Sequence, residues 1–557
     1  MPSSMSRRTA IKTGAVLLGL TLTSCTGEPD PAPSSAAVST TPTPTGPSAT
    51  FAFGTASQPL GLDPALANDV ESQRVTRQVL EGLVGVDQTT GEPTPLLATE
   101  WTESADGRSY TFTLRPGITF HDGSPFNAQA VCTNFERWFH FSEAIRKQAA
   151  GTTFKGVFKE HSDQASLSVF RACTALSPRL VRIDLTERFT GFLQALTLPA
   201  FAISSPKALA TGRADVLNLR RGSQVLSAYA THPVGTGPFR FSAWDSTSVT
   251  LVTNKDYWGD RGQIGTIHFI TYDHPQTRLQ ALIDGKIDGY DAVTVGNFDQ
   301  LVKRGKQIIQ RDPFSVMYLG MNQAVPVLAD LKVRQAVELA IDKDTLIRRF
   351  FIDNTTQASQ FVPPKLSGFN NNAPALGHDP DKAKDLLAEA GYKGAPLKFY
   401  YPMNVTRPYL PTPEKVFAEI SRQLTAVGFN IRPVPVDWSD GYLQKVQSPG
   451  DHAFHLLGWN GSYADADNFL TPLFGEKNGE FGYQDAQVFS KIDRARGLPD
   501  GKDRTEQYQT INAQIAATVP AVPIAFPISA LALSDRVLSY PASPVLNEVF
   551  TKVQLRP

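Results

Sequence analysis

The stretch PEKVFAEISRQLTAVGFNIRPVPVDW, residues 413–438, predicts one helix that is followed directly by one strand. Its apolar residues recur at helical spacing and form one face: Phe417, Ile420, Leu424 and Val427. Gly428 can adopt the left-handed conformation that ends many helices. The residues after it have the character of a strand interrupted by proline.

The stretch HDPDKAKDLLAEAGY, residues 378–392, repeats this design. Asp379 can cap a helix, Pro380 suits its first turn, and Gly391 can end it. A helix followed by a strand, twice over, is typical of an α/β domain. We therefore predict an α/β fold class for the second half of the chain.

Length and charge limit the possible classes of protein. The chain has 557 residues, which is too long for one hydrophobic core and predicts two or three domains. It contains 53 Lys and Arg residues and 53 Asp and Glu residues, so the formal net charge is zero. Without a basic field, we expect no nucleic-acid partner and no charge-driven binding to anionic lipid.

The N-terminus predicts export and lipid anchoring. A basic segment, MPSSMSRRTAIK, precedes a short apolar run that ends in LTSC and resembles a lipobox, so residues 1–25 are interpreted as a lipoprotein signal peptide with Cys25 as the lipidated residue. An ordinary signal peptide with an incidental cysteine is the alternative. The pair Arg7-Arg8 resembles a twin-arginine signal, but Ala10 departs from that motif, so the export route stays open.

The residues after the predicted signal peptide suggest how the protein is held. Residues 26–50 are rich in Pro, Ser, Thr and Ala and predict a disordered tether. The folded part is then extracytoplasmic and held by lipid at the outer face of the cell membrane.

The remaining cysteines are Cys132 and Cys173. Neither belongs to a CxxC motif, which argues against a zinc site, and outside the cell a single pair is best interpreted as a disulfide. Two buried free thiols are the alternative. His452 and His455 lie three apart in a strand-like run, where they would face opposite sides and could not share a metal. We expect no metal and no cofactor.

The stretch GWNGSYADADNF, residues 458–469, concentrates polar and aromatic groups. Counted from Asp465, a calcium loop would place Leu470 where glycine is needed. We find no nucleophile for which Asp465 and Asp467 could act as catalytic carboxylates, and the chain lacks GxSxG and HExxH motifs, so we expect no enzyme.

By elimination, this stretch is interpreted as the edge of a ligand pocket. Trp459 and Tyr463 would supply walls, and Asn460, Ser462 and Asp465 hydrogen bonds. A turn whose acids cap the following segment is the alternative.

The chain also resembles the extracellular solute-binding proteins that serve peptide and nickel ABC importers, the family 5 group. The resemblance rests on ten segments in order, which include LEGLVG, PVGTGPFRF, NKDYWG, YLGMNQ and LGWNGSYADADNFLTPLF. It implies a two-lobed periplasmic-binding-protein-like clamp of class II type, with an additional inserted α+β domain. Strand crossings near residues 314–322 and 522–529 would act as the hinge.

The resemblance also implies domain boundaries. Lobe I would comprise residues 51–75, 230–313 and 523–557, the inserted domain residues 76–229, and lobe II residues 314–522.

By the same resemblance, the predicted ligand-binding set includes Glu81, Asn322, Trp459 and Asn460. Peptide-binding members usually carry an Asp three residues after the Trp, where it pairs with the peptide ammonium group, whereas this chain has Ser462.

The predicted function is capture of oligopeptides, or of a related small solute, for an ABC importer by a monomeric lipoprotein that delivers them to permease subunits. A sensor lipoprotein without transport, binding of a non-peptide solute, and a surface hydrolase are the alternatives.

Overall fold

The computed structural model describes residues 47–67, 69–88, 90–148, 153–221 and 224–556. The predicted signal peptide with Cys25, and all but the last few residues of the predicted tether, lie outside the described residues. Within the described residues, no helix has the length and apolar character that crossing a bilayer requires.

Strands occur throughout the described part of the chain. They are Ala49–Thr55 (β1), Val84–Val86 (β2), Pro93–Pro95 (β3), Ala98–Glu103 (β4), Ser109–Leu114 (β5), Phe170–Ser177 (β6), Leu180–Leu185 (β7), Leu219–Arg221 (β8), Gln224–Leu226 (β9), Phe239–Trp244 (β10), Ser248–Thr253 (β11), Ile264–Thr271 (β12), Gly289–Tyr290 (β13), Gln307–Arg311 (β14), Ser315–Met321 (β15), Thr356–Gln357 (β16), Pro396–Met403 (β17), Asn430–Asp437 (β18), Phe454–Asn460 (β19), Ala521–Phe526 (β20), Ser529–Leu533 (β21), Val537–Ser539 (β22) and Gln554–Leu555 (β23).

The α-helices are most frequent in the second half. They are Val70–Val79 (α1), Ala128–Phe139 (α2), Glu143–Gln148 (α3), Thr153–Phe158 (α4), Phe192–Ala195 (α5), Pro206–Thr211 (α6), Pro275–Ile283 (α7), Phe298–Lys303 (α8), Pro326–Ala329 (α9), Leu331–Ala340 (α10), Lys343–Phe350 (α11), Pro380–Glu389 (α12), Pro413–Ala426 (α13), Tyr442–Gln447 (α14), Asp467–Phe474 (α15), Ala486–Gly497 (α16) and Lys502–Thr518 (α17).

A seven-stranded sheet forms the lobe that we call lobe I. Its strand order is β10-β11-β12-β1-β13-β21-β14, and β1 runs parallel to β12 and β13. Phe51 and Phe53 of β1 are fully buried and pack against Phe550, with ring centroids 5.1 and 5.7 Å away. The N-terminal strand and the C-terminal segment therefore share one core.

A six-stranded sheet forms the second lobe, lobe II. Its order is β16-β20-β15-β19-β17-β18, and β17 runs parallel to both of its neighbours. The helices predicted from sequence pack on it and are confirmed. Asp379 caps α12 by accepting from the Lys382 N–H at 2.9 Å. Gly391 and Gly428 have positive φ angles of 67° and 111°, which explains the choice of glycine at these helix ends.

The chain passes twice between these sheets. β14 of lobe I leads into β15 of lobe II, and β20 of lobe II leads back into β21 of lobe I. β15 and β20 are neighbours in one sheet, and β14 and β21 are neighbours in the other, so the two passages lie side by side. They fall in the two segments where crossings were predicted, while their service as a hinge stays a prediction.

A four-stranded antiparallel sheet, β4-β5-β7-β6, lies within the predicted inserted domain. Helix α2 packs on it through Phe135 and Trp138, which contact Phe170 and Phe201 in an aromatic core. Cys132 of α2 is bonded to Cys173 of β6, with a Cα–Cα distance of 5.2 Å. The predicted disulfide is confirmed.

The predicted domain boundaries stay a prediction, but three of them fall inside elements of the structure. β1 begins at Ala49, inside the predicted tether, because Ala49 and Thr50 pair with β12. The boundary at 75/76 divides α1, whose Val75 and Val79 both pack in the core of lobe I. The boundary at 522/523 divides β20.

The buried histidines of lobe II correct one expectation. His452 precedes β19 and is not held to the alternation of that strand, so its ring lies 5.3 Å from the ring of His455 instead of on the opposite side. His452 Nε2 lies 3.1 Å from the backbone oxygen of Glu480, and His455 Nε2 lies 3.0 Å from the carboxylate of the same residue. Within the described residues, no group of three or more potential metal ligands is found.

Candidate ligand-binding site

Trp459 and Asn460 end β19, an inner strand of lobe II. β19 pairs with β15 so that Trp459 lies opposite Val316 and Asn460 opposite Ser315. Both residues therefore lie beside the passage from β14 to β15, where the chain changes lobes. The indole Nε1 of Trp459 is buried and meets no hydrogen-bond acceptor among the described residues. It is a donor that a ligand can satisfy.

The loop after Trp459 is held by hydrogen bonds that its backbone N–H groups donate. The Gly461 N–H donates to the Phe314 carbonyl at 2.8 Å, and the Ser462 N–H donates to Asn468 Oδ1 at 2.7 Å. Tyr463 is buried and packs with the core of the inserted domain. This loop thus joins lobe II to the inserted domain, and Ser462 is its exposed member.

Asp465 is committed to the protein itself. Its two carboxylate oxygens accept from Arg504 Nη2 at 2.8 and 2.9 Å, and Oδ1 also accepts from the Asp467 N–H at 2.8 Å. Burial raises the pKa of Asp465, while the charge of Arg504 acts to lower it. These contacts favour the loop-cap alternative over a ligand contact.

Asp69 precedes α1, and Arg407 lies in the loop that follows β17 of lobe II. Asp69 caps α1 by accepting from the Ser72 N–H at 2.9 Å through Oδ1, but its Oδ2 is buried and receives no hydrogen bond from the described residues. Arg407, in the loop between β17 and α13, lies with its guanidinium carbon 4.0 Å from the centroid of the Trp438 ring. Its Nε is likewise buried without an acceptor among the described residues.

The positive charge of Arg407 acts on the carboxyl group of Asp69. Burial raises the pKa of Asp69, and the hydrogen bonds from Ser72 and the positive charge of Arg407 oppose that rise. The loop of Arg407 also packs on β19, because a Cβ on Gly458 would lie 2.4 Å from Tyr409 Cδ2. Arg407 therefore belongs to the same region as Trp459.

The inserted domain and lobe II are bridged by Arg496 of α16. Its Nε lies 3.2 Å from Asp467 Oδ2, its Nη2 donates to the Val157 carbonyl at 2.5 Å, and its guanidinium carbon lies 4.2 Å from the Phe189 ring centroid. The Thr190 N–H donates to the Arg496 carbonyl at 3.1 Å. The structure thus has the inserted domain and lobe II in direct contact.

A profile described as "Bacterial extracellular solute-binding proteins, family 5 Middle" matches residues 92–481, well over half of the chain. The chain belongs to family 5 of the bacterial extracellular solute-binding proteins. Members of this family bind solutes and are not enzymes.

Curated relatives and solved structures agree with this assignment. Heme-binding protein A of Haemophilus influenzae is 28% identical over 526 residues, which cover 91% of this chain and 92% of that protein. The dipeptide-binding protein of Escherichia coli is 26% identical over 525 residues, which cover 91% and 94%.

Among solved structures, DppA of Helicobacter pylori, an ABC transporter-associated periplasmic binding protein in complex with the peptide STSA, has a TM-score of 0.79 at 26% identity and covers 91% of this chain and 98% of its own. The predicted family and the two-lobed α/β fold are confirmed.

The carboxylate of Glu81 in this family 5 protein is hydrogen-bonded by three side chains. Its carboxylate accepts from Thr236 Oγ1 at 2.7 Å, the Tyr257 hydroxyl at 2.8 Å and Trp258 Nε1 at 3.0 Å. Burial raises the pKa of Glu81 to about 6. These donors lie in lobe I and its connection to the inserted domain, so Glu81 joins those two units, and its contact with a ligand stays a prediction.

Asn322 is remote from Trp459. It follows β15 at the end opposite to Val316, and six residues of strand span roughly 20 Å. Its side chain is buried, accepts from the Ala324 N–H at 3.0 Å and donates to the Gly450 carbonyl at 3.2 Å. In the solute-binding protein, Asn322 shapes a turn.

Sequence reasoning missed Asp69 and Arg407. The sequence does not show whether an N-cap aspartate has a carboxylate oxygen that forms no hydrogen bond. Arg407 precedes a proline in a loop between a strand and a helix, a place where functional side chains are common, and this was the one available signal.

Proposed function

We propose that this protein captures short peptides between lobe I and lobe II and delivers them to the permease of an ABC importer. Family membership supports solute capture, and peptides are named for several similar proteins, including the Escherichia coli dipeptide-binding protein and the Helicobacter pylori complex. Lobe closure would bury the ligand and shift the population toward the closed form.

The peptide assignment rests on two charged side chains, Asp69 of lobe I and Arg407 of lobe II. Each has one buried polar atom that forms no hydrogen bond with the described residues. Asp69 Oδ2 is an acceptor suited to an ammonium group, and Arg407 Nε is a donor suited to a carboxylate. A free peptide carries both of these charges at its ends. Asp69 would thereby supply the negative charge that Ser462 cannot provide.

We expect chemical blocking of either peptide end to weaken binding, and the matching variant to remove that preference. A charge-assisted hydrogen bond contributes about 1.5–3 kcal/mol, so a C-terminal amide should bind at least about tenfold more weakly than the free peptide. Arg407→Gln should bind the amide and the free peptide alike, and Asp69→Asn should bind N-acetylated and free peptide alike. Calorimetry with di-, tri- and tetrapeptides measures each ratio.

Arg348→Gln is the matched control, since Arg348 is an exposed arginine of lobe II whose side chain donates to Thr345 of its own helix and to no other described residue. It should preserve wild-type discrimination. If peptides of these lengths do not bind, or if Arg407→Gln still prefers the free carboxylate, the proposal is wrong.

Trp459→Ala is expected to weaken peptide binding by about 2 kcal/mol or more, because a rigid aromatic wall and a buried indole donor are lost together. The melting temperature should change little, since Trp459 is only half-buried at the end of its strand. Trp101→Ala removes a half-buried indole from the inserted domain and should leave affinity unchanged. Equal affinities for both variants would contradict a role for Trp459 in binding.

The other predicted site residues enter this proposal with smaller roles. Asn460 lies beside Trp459 and can offer hydrogen bonds, and Ser462 is exposed on the following loop. Tyr463 contributes through the contact between lobe II and the inserted domain. The predicted division into lobe I, inserted domain and lobe II is part of the same proposal.

We further propose that Cys25 carries the lipid anchor and holds the protein at the outer face of the cell membrane. Replacing Cys25 with Ser should abolish incorporation of labelled fatty acid, because serine offers no thiol for diacylation. Cys132→Ser serves as the control and should still be labelled. Lipid recovered on the Cys25→Ser protein would refute the assignment.

The proposal also holds that the protein is a monomer, has no enzymatic activity and docks on permease subunits. Adjacent genes for permeases and ATPases support import, whereas their absence favours ligand sensing. Light scattering of the purified protein tests the monomer.

A further inference from the structure

A second cavity lies in lobe I and its junction with the inserted domain, apart from the cleft between the lobes. Its volume is about 270 Å³, and none of its lining residues comes from residues 315–526. It is enclosed by α1, the segment around β2 and β3, the segment near residue 198 and the C-terminal residues 547–552. This volume lies just below the range of roughly 300–1,000 Å³ that is usual for ligand pockets, so the cavity can hold only a small molecule.

Arg77 gives this cavity a positive charge that the protein does not neutralise directly. Its guanidinium donates to Asn547 Oδ1 at 2.7 Å and to the Val545 carbonyl at 3.4 Å, both uncharged acceptors. Among the described residues, no carboxylate forms a salt bridge with Arg77. Burial lowers the pKa of Arg77 to about 10, with the charge of Glu548 acting against that shift.

The nearby carboxylates are already occupied. Glu548 accepts from Arg311 Nε at 2.6 Å and from the Tyr540 hydroxyl at 2.6 Å. Glu81, which lines the cavity, accepts from three donors of its own. Lys552, exposed at the rim, adds a second cation. Arg77 is half-buried, and a partly desolvated cation without a direct counter-charge is unfavourable, so an entering anion would relieve that cost.

The remaining wall of the cavity contains both apolar and polar side chains. The apolar ones include Leu80, Val84, Val86, Leu96, Leu198 and Val549, and the polar ones include Thr76, Gln88, Thr94, Thr197 and Thr551. A ligand that matches Arg77 and the apolar part of this wall combines one anionic group with an apolar body.

We propose that this cavity binds a small organic carboxylate with an aliphatic or aromatic body, through Arg77 and Lys552, independently of the cleft between the lobes. Binding here requires no movement of lobe II, because lobe II contributes no wall. The solute-binding protein would thus carry two ligand sites of different chemistry.

Hexanoate is a suitable probe, and hexan-1-ol is its uncharged counterpart. Calorimetry or ligand-observed NMR on the complete folded protein should show saturable hexanoate binding with a Kd on the order of 1 mM or tighter. Hexan-1-ol should bind at least tenfold more weakly. Arg77→Gln and Lys552→Gln should each weaken hexanoate binding, the former by tenfold or more, while Lys303→Gln, an exposed lysine of α8, should have no effect.

Because Arg407 could also attract a carboxylate, Arg407→Gln is measured in parallel and should retain hexanoate binding. Lys552 is exposed, so its variant provides a result even if Arg77→Gln fails to fold. The inference is overturned if hexanoate does not bind, if both Lys552→Gln and any folded Arg77→Gln bind as the wild type does, or if Arg407→Gln alone abolishes binding. None of these outcomes bears on peptide capture, which is measured separately.

Discussion

Replacing Arg311 with methionine is expected to destabilise the protein by about 3–5 kcal/mol, because it leaves buried carboxylates without their principal partner. Arg311 ends β14, and its side chain is 1% exposed. Its Nε donates to Glu548 at 2.6 Å and its Nη1 to Asp291 at 2.8 Å. Arg74 also contacts both acids, so the four side chains form one network beside the passage to lobe II.

The charge balance of this network explains the size of the effect. Two arginines face two carboxylates, together with Glu71, which contacts Arg74 at 3.4 Å. The positive charges of Arg311 and Arg74 hold the pKa of Asp291 well below its usual range despite burial. Without Arg311, a single cation must balance the remaining acids, and desolvated negative charges repel one another.

Urea denaturation followed by circular dichroism measures this loss. Lys306→Gln is the matched control. Lys306 directly precedes β14, and its ammonium group lies 3.4 Å from the carboxylate of Asp535, whose side chain is 81% exposed. Exposed ion pairs contribute little, so the control should lie within about 1 kcal/mol of wild type. A methionine variant as stable as this control would show that the network is not stabilising.

Asp465→Asn is the second change with a large expected effect, a loss of about 3–5 kcal/mol in stability with peptide affinity retained in the folded protein. Both oxygens of Asp465 accept from Arg504, and the side chains of both residues are 5% exposed. The neutral amide of Asn cannot balance the charge of Arg504, so the guanidinium group remains buried without its counter-charge. This result would identify Asp465 as a residue that fixes the loop, in contrast to Trp459, whose loss should affect binding and not folding.

Asp500→Asn provides the control for this prediction. Asp500 approaches the same arginine, at 3.9 Å, but its side chain is 81% exposed. We expect a stability within about 1 kcal/mol of wild type for that variant. Calorimetry with a bound peptide and thermal unfolding, carried out on both variants, separate the two roles. Lost affinity at an unchanged melting temperature would instead make Asp465 a ligand contact.

Local signals in the sequence were sufficient for helices α12 and α13 and for strand β18 of lobe II. Asp379, Gly391 and Gly428 act through backbone geometry within a few residues, so their roles can be recognised without knowledge of the fold. The disulfide could also be predicted, because outside the cell two lone cysteines have few other partners.

The site depended on contacts between segments far apart in the chain. Asp69 and Arg407 are separated by more than 300 residues, and nothing near either residue indicates the other. Glu81 and Asn322 were predicted to bind ligand, yet the structure shows their side chains hydrogen-bonded to other residues of this chain. The ring contact between His452 and His455 depends on where β19 begins, a boundary that sequence patterns locate poorly.

The two adjacent passages between the sheets have a practical consequence. Residues 315–526 connect to the rest of the folded chain through these passages alone, and the passages run side by side. If the passages act as the predicted hinge, two neighbouring attachment points favour rotation about one axis, and opening of the clamp would then be described by a single angle. One fluorophore on an exposed residue of each lobe should convert that angle into energy-transfer efficiency, and the protein could serve as an optical reporter of its own solute.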